Sequence, residues 1–255
     1  MKTPKLFQLP FWATYAFLYV PIVIVVVMSF NASDNLFVWR GFSFDWYREL
    51  FTDGALMAGL GNTLIVAAGS TALATVLGTL TAVGISRYTR GGLIRALAIA
   101  PALLPDLLLA IGLLSTFSLL QFTLGLHSVL IAHAVFSTAF VTAIVLARLT
   151  HVDSSLEEAS RDLGAGPVAR LLRIWWPLLR PAGVALGLVG FAHALADGSV
   201  PAFTTGPGGS TLAVGMAIVA RGGEVEVVPR WALGLSLAPV GAVWLAVWAW
   251  RRAAR

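Results

Sequence analysis

Ionisable side chains are scarce in this chain, so the few that interrupt apolar sequence are the natural candidates for chemistry. Apart from His127 and His133, Asp106 is the only acidic or basic residue between Ala96 and Ala147, and Asp197 follows His193 by four residues. A charge in hydrocarbon is expensive and therefore faces protein or water, often along the route of a solute. Asp106 follows Pro105, with Pro101 one turn earlier. Prolines loosen the backbone hydrogen bonding and can open a polar point in a membrane helix. Asp106 thus reads as part of a translocation path, as a residue near the inner interface, or as the cap of a broken helix. Asp197 precedes Gly198 and either attracts a cationic solute or ends its span in water. His193 shares its helical face, so the two form either a polar lining or a packing hydrogen bond.

Other chemistries find little support. There are no cysteines, which excludes disulfides, thiolate metal sites and cysteine nucleophiles. His127, His133, His151 and His193 lack metal-ligand spacing; His133 reads as a satisfied buried histidine. No serine has a nucleophile-elbow context. The Gly-rich stretch 204–211 invites a phosphate-binding reading, but the only lysines are Lys2 and Lys5, and no G-x-x-x-x-G-K-[ST] occurs. No catalytic, cofactor or metal site is therefore expected. A membrane enzyme would need convergent acid–base or nucleophilic groups, which Asp106, His133, His193 and Asp197 do not clearly supply. A stand-alone secondary carrier would bind its coupling ion at Asp106 or Asp197.

The elements that position these residues follow from the charge-free runs. Of the 255 residues 58% are hydrophobic and 11% charged, with mean hydropathy +0.85. Soluble domains carry roughly 25% charged residues, and about 20 apolar residues cross a bilayer. The uncharged runs place six transmembrane helices at about 11–30, 61–86, 96–119, 128–148, 181–200 and 231–250, within one all-α membrane domain, 1–255. The first run is too long for a secretory leader and reads as a retained span. Basic residues crowd 1–5, 87–95, 148–180 and 251–255, whereas the opposite segments hold only Arg40, Arg48, Arg221 and Arg230. The positive-inside bias puts the first set, and both termini, in the cytoplasm. That distribution of the net charge of +5 suits membrane orientation rather than nucleic-acid binding. Gly183 and Gly187 form a GxxxG pattern that favours close helix packing.

The cytoplasmic segment 154–177 carries the most specific pattern. Ser154 with Glu157, or Ser155 with Glu158, makes a capping-box start. Gly164 can end that helix at positive φ. Pro167 suits the first turn of a second helix, about 167–176, which Pro177 ends. The spacing Glu158-Ala159-Ser160, Gly164, Ile174, Trp176-Pro177 resembles the EAA signature of ABC-importer permeases, with Ser160 and Trp176 as mild departures from Ala and Leu. The stretches 41–51, Asn62-Thr63-Leu64, 134–140 and 199–212 are also similar to permeases of the spermidine/putrescine type.

The resemblance implies the type I ABC importer permease fold in a bacterial inner membrane. It implies an ATPase-coupling role for Glu158, Ala159, Ser160, Gly164, Ile174 and Pro177. Implied partners are two cytosolic ABC ATPase subunits that bind the ATP, a second and related permease subunit, and an extracytoplasmic solute-binding protein facing the 204–211 loop. Relatives of this type import polyamines, ferric iron, thiamine or aminoethylphosphonate, so the cargo stays open. Polyamine-type relatives commonly pair acidic residues near the Asp197 segment, where this chain has Ala196-Asp197-Gly198-Ser199.

Overall fold

The computed structural model describes residues 5–33, 35, 38–89, 91–150 and 154–215, together with 244, 248, 251 and 252. Among these the backbone is almost wholly helical; the sole β feature is an isolated bridge between Asn31 and Phe42. Helix α1 (Lys5–Met28) contains Pro10 and Pro21. Its 10–28 stretch has mean hydropathy 2.2, and none of its residues is buried among the described ones. A short helix α2 (Asp45–Thr52) follows a loop organised by Asn31. The Asn31 amide donates to Val38 O at 2.7 Å and accepts from Arg40 N at 2.9 Å. The buried Trp46 of α2 donates to Asn31 O at 2.6 Å.

Helix α3 (Gly54–Tyr88) is the central member. Asp53 starts it by accepting from Ala55 N and Leu56 N. Its 35 residues reach about 52 Å, well beyond the hydrocarbon thickness, at 1.5 Å per residue. The next expected span is broken. Helix α4 (Gly92–Ile99) and a 3-10 turn (Ala100–Leu103) meet helix α5 (Asp106–Leu119) at 108°. The expected span at 96–119 is thus not one straight helix but a pair bent at its prolines. Pro101 and Pro105 withhold two amide hydrogens, and Pro105 adopts extended ψ 136° where a helix would need to continue.

Helix α6 (Leu126–Leu149) packs along α3. A Cβ on Gly78 would lie 2.8 Å from the Val141 side chain and 2.9 Å from Thr138 O, so only glycine admits this approach. Thr142 Oγ1 donates to Thr138 O at 2.7 Å and sits 3.3 Å from Gly78 O across the interface. Around it Ala74, Ala82 and Ile85 bury against Val141, Val145 and Leu149. In lipid, helix association rests on such packing, because tails are as apolar as leucine.

The chain then turns through α7 (Ser154–Asp162) and α8 (Pro167–Arg170), passes a π-helical turn (Leu171–Trp175), and enters α9 (Trp176–Ala196). Pro177 thus stands near the start of a long helix and does not end one, contrary to expectation. The turn before it absorbs the missing donor: Trp176 N reaches back five residues to Leu171 O. Helix α10 (Ser199–Thr204) and the loop to 211 complete the described body, with helical backbone again at 212–215. Gly183 and Gly187 face Thr75 and Thr71 of α3.

By length and composition three described helices can cross a membrane, or four if the bent α4–α5 pair counts as one span. The sixth expected span, 231–250, lies outside the described residues except for the exposed Trp244 and Trp248. Replacing Gly78 with Leu should push α3 off α6 and cost about 1–3 kcal/mol. A lowered thermal midpoint in detergent checks this, with Gly84→Leu, where a Cβ meets no atom within 4 Å, as the neutral control.

Candidate translocation and coupling sites

The 154–177 segment forms a bent arm with one largely exposed and one anchored end. Helix α7 closes with Gly164 N donating to Arg161 O at 2.8 Å and Ala165 N to Ser160 O at 2.9 Å. Gly164 takes φ +79°, the left-handed conformation that glycine reaches without steric cost. Glu158 and Ala159 are exposed, while Ser160 is buried beside the bend. Pro167 occupies the start of α8, where its missing N–H removes nothing. Ile174 lies half-buried in the π-helical turn, and Pro177 lies beyond it in α9. Trp175 anchors the arm: it is 3% exposed and joins Leu179 in the α3–α6 core. The Arg87 guanidinium sits 4.4 Å over its ring. The structure therefore gathers Glu158, Ala159, Ser160 and Gly164 at one bend and places Ile174 and Pro177 on the anchored side.

The second cluster lies where α9 stops. The Asp197 carboxylate is buried and accepts from Ser199 N at 2.8 Å and Val200 N at 3.3 Å, holding the first turn of α10. Its Oδ2 also lies 3.3 Å from His133 Nε2 of α6. His133 Nδ1 is 3.0 Å from Val129 O, which can only accept, so Nδ1 carries hydrogen. The other ring nitrogen then faces the Asp197 carboxylate. His193 does not bond to the Asp197 side chain. Its ring stacks on Phe136 at 4.7 Å and stands 6.5 Å from that of His133. With Phe136, Ser137 and Phe140 it borders a cavity of about 140 Å³.

Asp106 occupies the first turn of α5, half-exposed, where a negative charge suits the helix dipole. Among the described residues no hydrogen bond or ion pair joins it to Asp197, His133 or His193. Four residues on, Ala110 packs against Val200 of α10, so both carboxylates begin helices that meet.

The Gly-rich loop is seated on the body of the protein. Thr63 Oγ1 accepts from Leu212 N at 2.9 Å, and Asn62 Nδ2 donates to Ser210 O at 3.0 Å. Ser128 Oγ lies 2.6 Å from Thr204 O. Gly206 leaves no room for a Cβ beside Leu124 O, and one on Gly209 would lie 3.0 Å from Leu126 N. Sequence reasoning missed the anchoring roles of Asn62, Thr63 and Ser128 and the partner of His133. Their separations in the chain, such as 149 residues between Thr63 and Leu212, follow no local spacing rule. Among the described residues no group of three or more His, Asp or Glu is placed to hold a metal.

A helical membrane body of this shape defines a class. It superimposes on a chain of a bacterial ABC transporter involved in import of the acidic polysaccharide alginate. The TM-score is 0.77 at 16% identity, covering 97% of this chain and 94% of the other. A second structure of such a transporter, in complex with an alginate-pentasaccharide-bound periplasmic protein, matches at TM-score 0.76, 16% identity and 97% and 93% coverage. This is the type I ABC importer permease fold.

Residues 74–250 match the model of the family described as binding-protein-dependent transport system inner membrane component. The putrescine transport system permease protein PotI of Escherichia coli K12 is 36% identical over 207 residues, 78% of this chain and 74% of PotI. The spermidine/putrescine permease PotC of the same strain is 38% identical over 197 residues, 76% and 75% of the two chains. PotC of Haemophilus influenzae is 36% identical over 197 residues, 76% and 77%. The chain therefore belongs to this family of ABC-importer permease subunits and is a multi-pass membrane protein. An ion-coupled carrier or an intramembrane enzyme is not favoured.

Removing either member of the buried His133–Asp197 contact takes one polar partner from the other, at a cost of about 1–3 kcal/mol. His133→Phe and Asp197→Asn should each lower the thermal midpoint in detergent. The double variant should lose less than the sum, which a double-mutant cycle measures.

Proposed function

We propose that this chain forms half of the translocation path of a polyamine importer and that a separate cytosolic ATPase drives it through the 154–177 arm. The supporting observation is kinship with permeases named for putrescine and spermidine at 36–38% identity over about three quarters of each chain. In this reading six spans cross a bacterial inner membrane with both termini inside, in line with the distribution of arginine and lysine. A related permease subunit supplies the other half of the path, two ATPase subunits bind ATP, and a solute-binding protein delivers cargo from outside.

The mechanism follows from the arm's asymmetry. Its exposed α7 end meets the ATPase, while Trp175 and Leu179 are packed into the α3–α6 core. Closure of the ATPase pair displaces α7, and the core follows as a rigid body, switching access from one side to the other. Asp106, His193 and Asp197 remain the candidate path residues. Asp197, which already serves His133 and two backbone amides, holds the outer segment in shape, and Asp106 and the His193-lined cavity face the solute.

Reconstituting the chain with its genomic neighbours tests this reading. Labelled putrescine or spermidine should enter proteoliposomes only with ATP and the binding protein present. Uptake by this chain alone would refute it.

Coupling has its own test. Proline cannot take φ +79°, so Gly164→Pro should break the bend, and Glu158→Lys should reverse the charge on the exposed face. Both variants should insert normally yet separate ATP hydrolysis from uptake; unchanged transport in both would count against the coupling role.

A further inference from the structure

The stretch of α1 able to cross a bilayer, 10–28, has 19 residues, or about 28 Å of helix at 1.5 Å per residue. That length nearly matches a hydrocarbon core about 30 Å thick, so the residues just past Met28 stand at the level of the head groups. They belong to a cluster of aromatic rings. Phe30 stacks on Phe42 at 5.3 Å and on Tyr47 at 5.2 Å, and meets Phe44 edge-on at 5.7 Å. Phe42 and Phe44 lie edge to face at 5.0 Å, yet they remain 63% and 57% exposed. The backbone fixes the rings in place: Ser43 N donates to Phe30 O at 2.8 Å and Ala32 N to Gly41 O at 2.9 Å. Helix α2 continues the pattern. At about 100° per residue, Trp46, Tyr47 and Phe51 fall on one arc of it and Asp45, Arg48 and Glu49 on the opposite arc.

From this geometry we propose that the cluster is a lipid anchor: Phe42 and Phe44, with Phe51, enter the boundary between head groups and acyl chains, and α2 lies along the membrane surface with its charged arc toward water. Aromatic rings concentrate at that level of a bilayer, and short helices with one apolar and one charged face lie in its plane. The rings also continue directly from the exposed apolar surface of α1. A solute-binding protein arriving from water would meet the charged arc first. Helix α2 passes at once into α3 through Asp53, so the anchor sets the level at which α3 enters the membrane. The length of α3 in excess of the hydrocarbon then falls at its Tyr88 end, where Arg87 meets Trp175 of the arm. The proposal needs only that α1 crosses a bilayer and is independent of the cargo and of the ATPase.

The chain has no cysteine, so a nitroxide attached at Phe44→Cys of the full chain is a unique probe. In vesicles of dioleoylphosphatidylcholine and dioleoylphosphatidylglycerol it should collide with oxygen, which concentrates in lipid, more often than with a water-soluble nickel chelate. The oxygen-to-chelate ratio should exceed, several-fold, that of a label at Arg48→Cys on the charged arc. Phe42→Cys repeats the measurement from a second ring, in case the label at 44 disturbs the packing. A ratio at both 42 and 44 no higher than at 48 overturns the proposal; if chelate contact there is then lost on adding the solute-binding protein, the rings are its docking surface. Rare collision with both reagents overturns it as well, since it marks a face covered by protein.

Discussion

The close approach of α3 and α6 at Gly78 is the contact on which the rest of the structure depends. Burial from water does not hold helices together within a bilayer, so contact has to come from matched surfaces and from polar groups that find partners. Gly78 supplies the matched surface against Val141, and Thr142 bridges to the carbonyl that the glycine leaves accessible. Everything functional is hung on this pair. The arm reaches it through Trp175 and Leu179, the Gly-rich loop through Thr63 and Ser128, and the α9–α10 break through His133.

Much of this was legible in the sequence because it depends on local rules. Charge-free runs mark α1, α3 and α6, since hydrocarbon thickness sets their minimum length. The bend at Gly164 was legible because a glycine between a capping sequence and Pro167 has few other conformations to serve. The break at Pro101–Pro105 was visible only as a weakness within an expected span. Composition reports that a segment is apolar, but its direction is fixed by what it packs on, here Ala110 against Ala132 and Val200.

The misreadings share a cause. Pro177 looked like a terminator because proline removes a donor, yet five-residue hydrogen bonding upstream of it supplies the remedy. Their four-residue spacing offered His193 and Asp197 either a shared polar lining or a hydrogen bond; the hydrogen bond is not made, because the carboxylate turns to α10 and α6. In both cases a tertiary neighbour decided between local options of nearly equal cost.

The wide turn at Leu171–Trp175 has a consequence for how this helix tolerates change in length. A π-helical turn holds one residue more than an α-turn, so it displaces the angular phase of all that follows by about 100°. Leu171, Trp175 and Leu179 all pack on the same core. A one-residue deletion within the turn has slack to consume, whereas an insertion would rotate α9 bodily, turning Gly183 and Gly187 away from the threonines of α3.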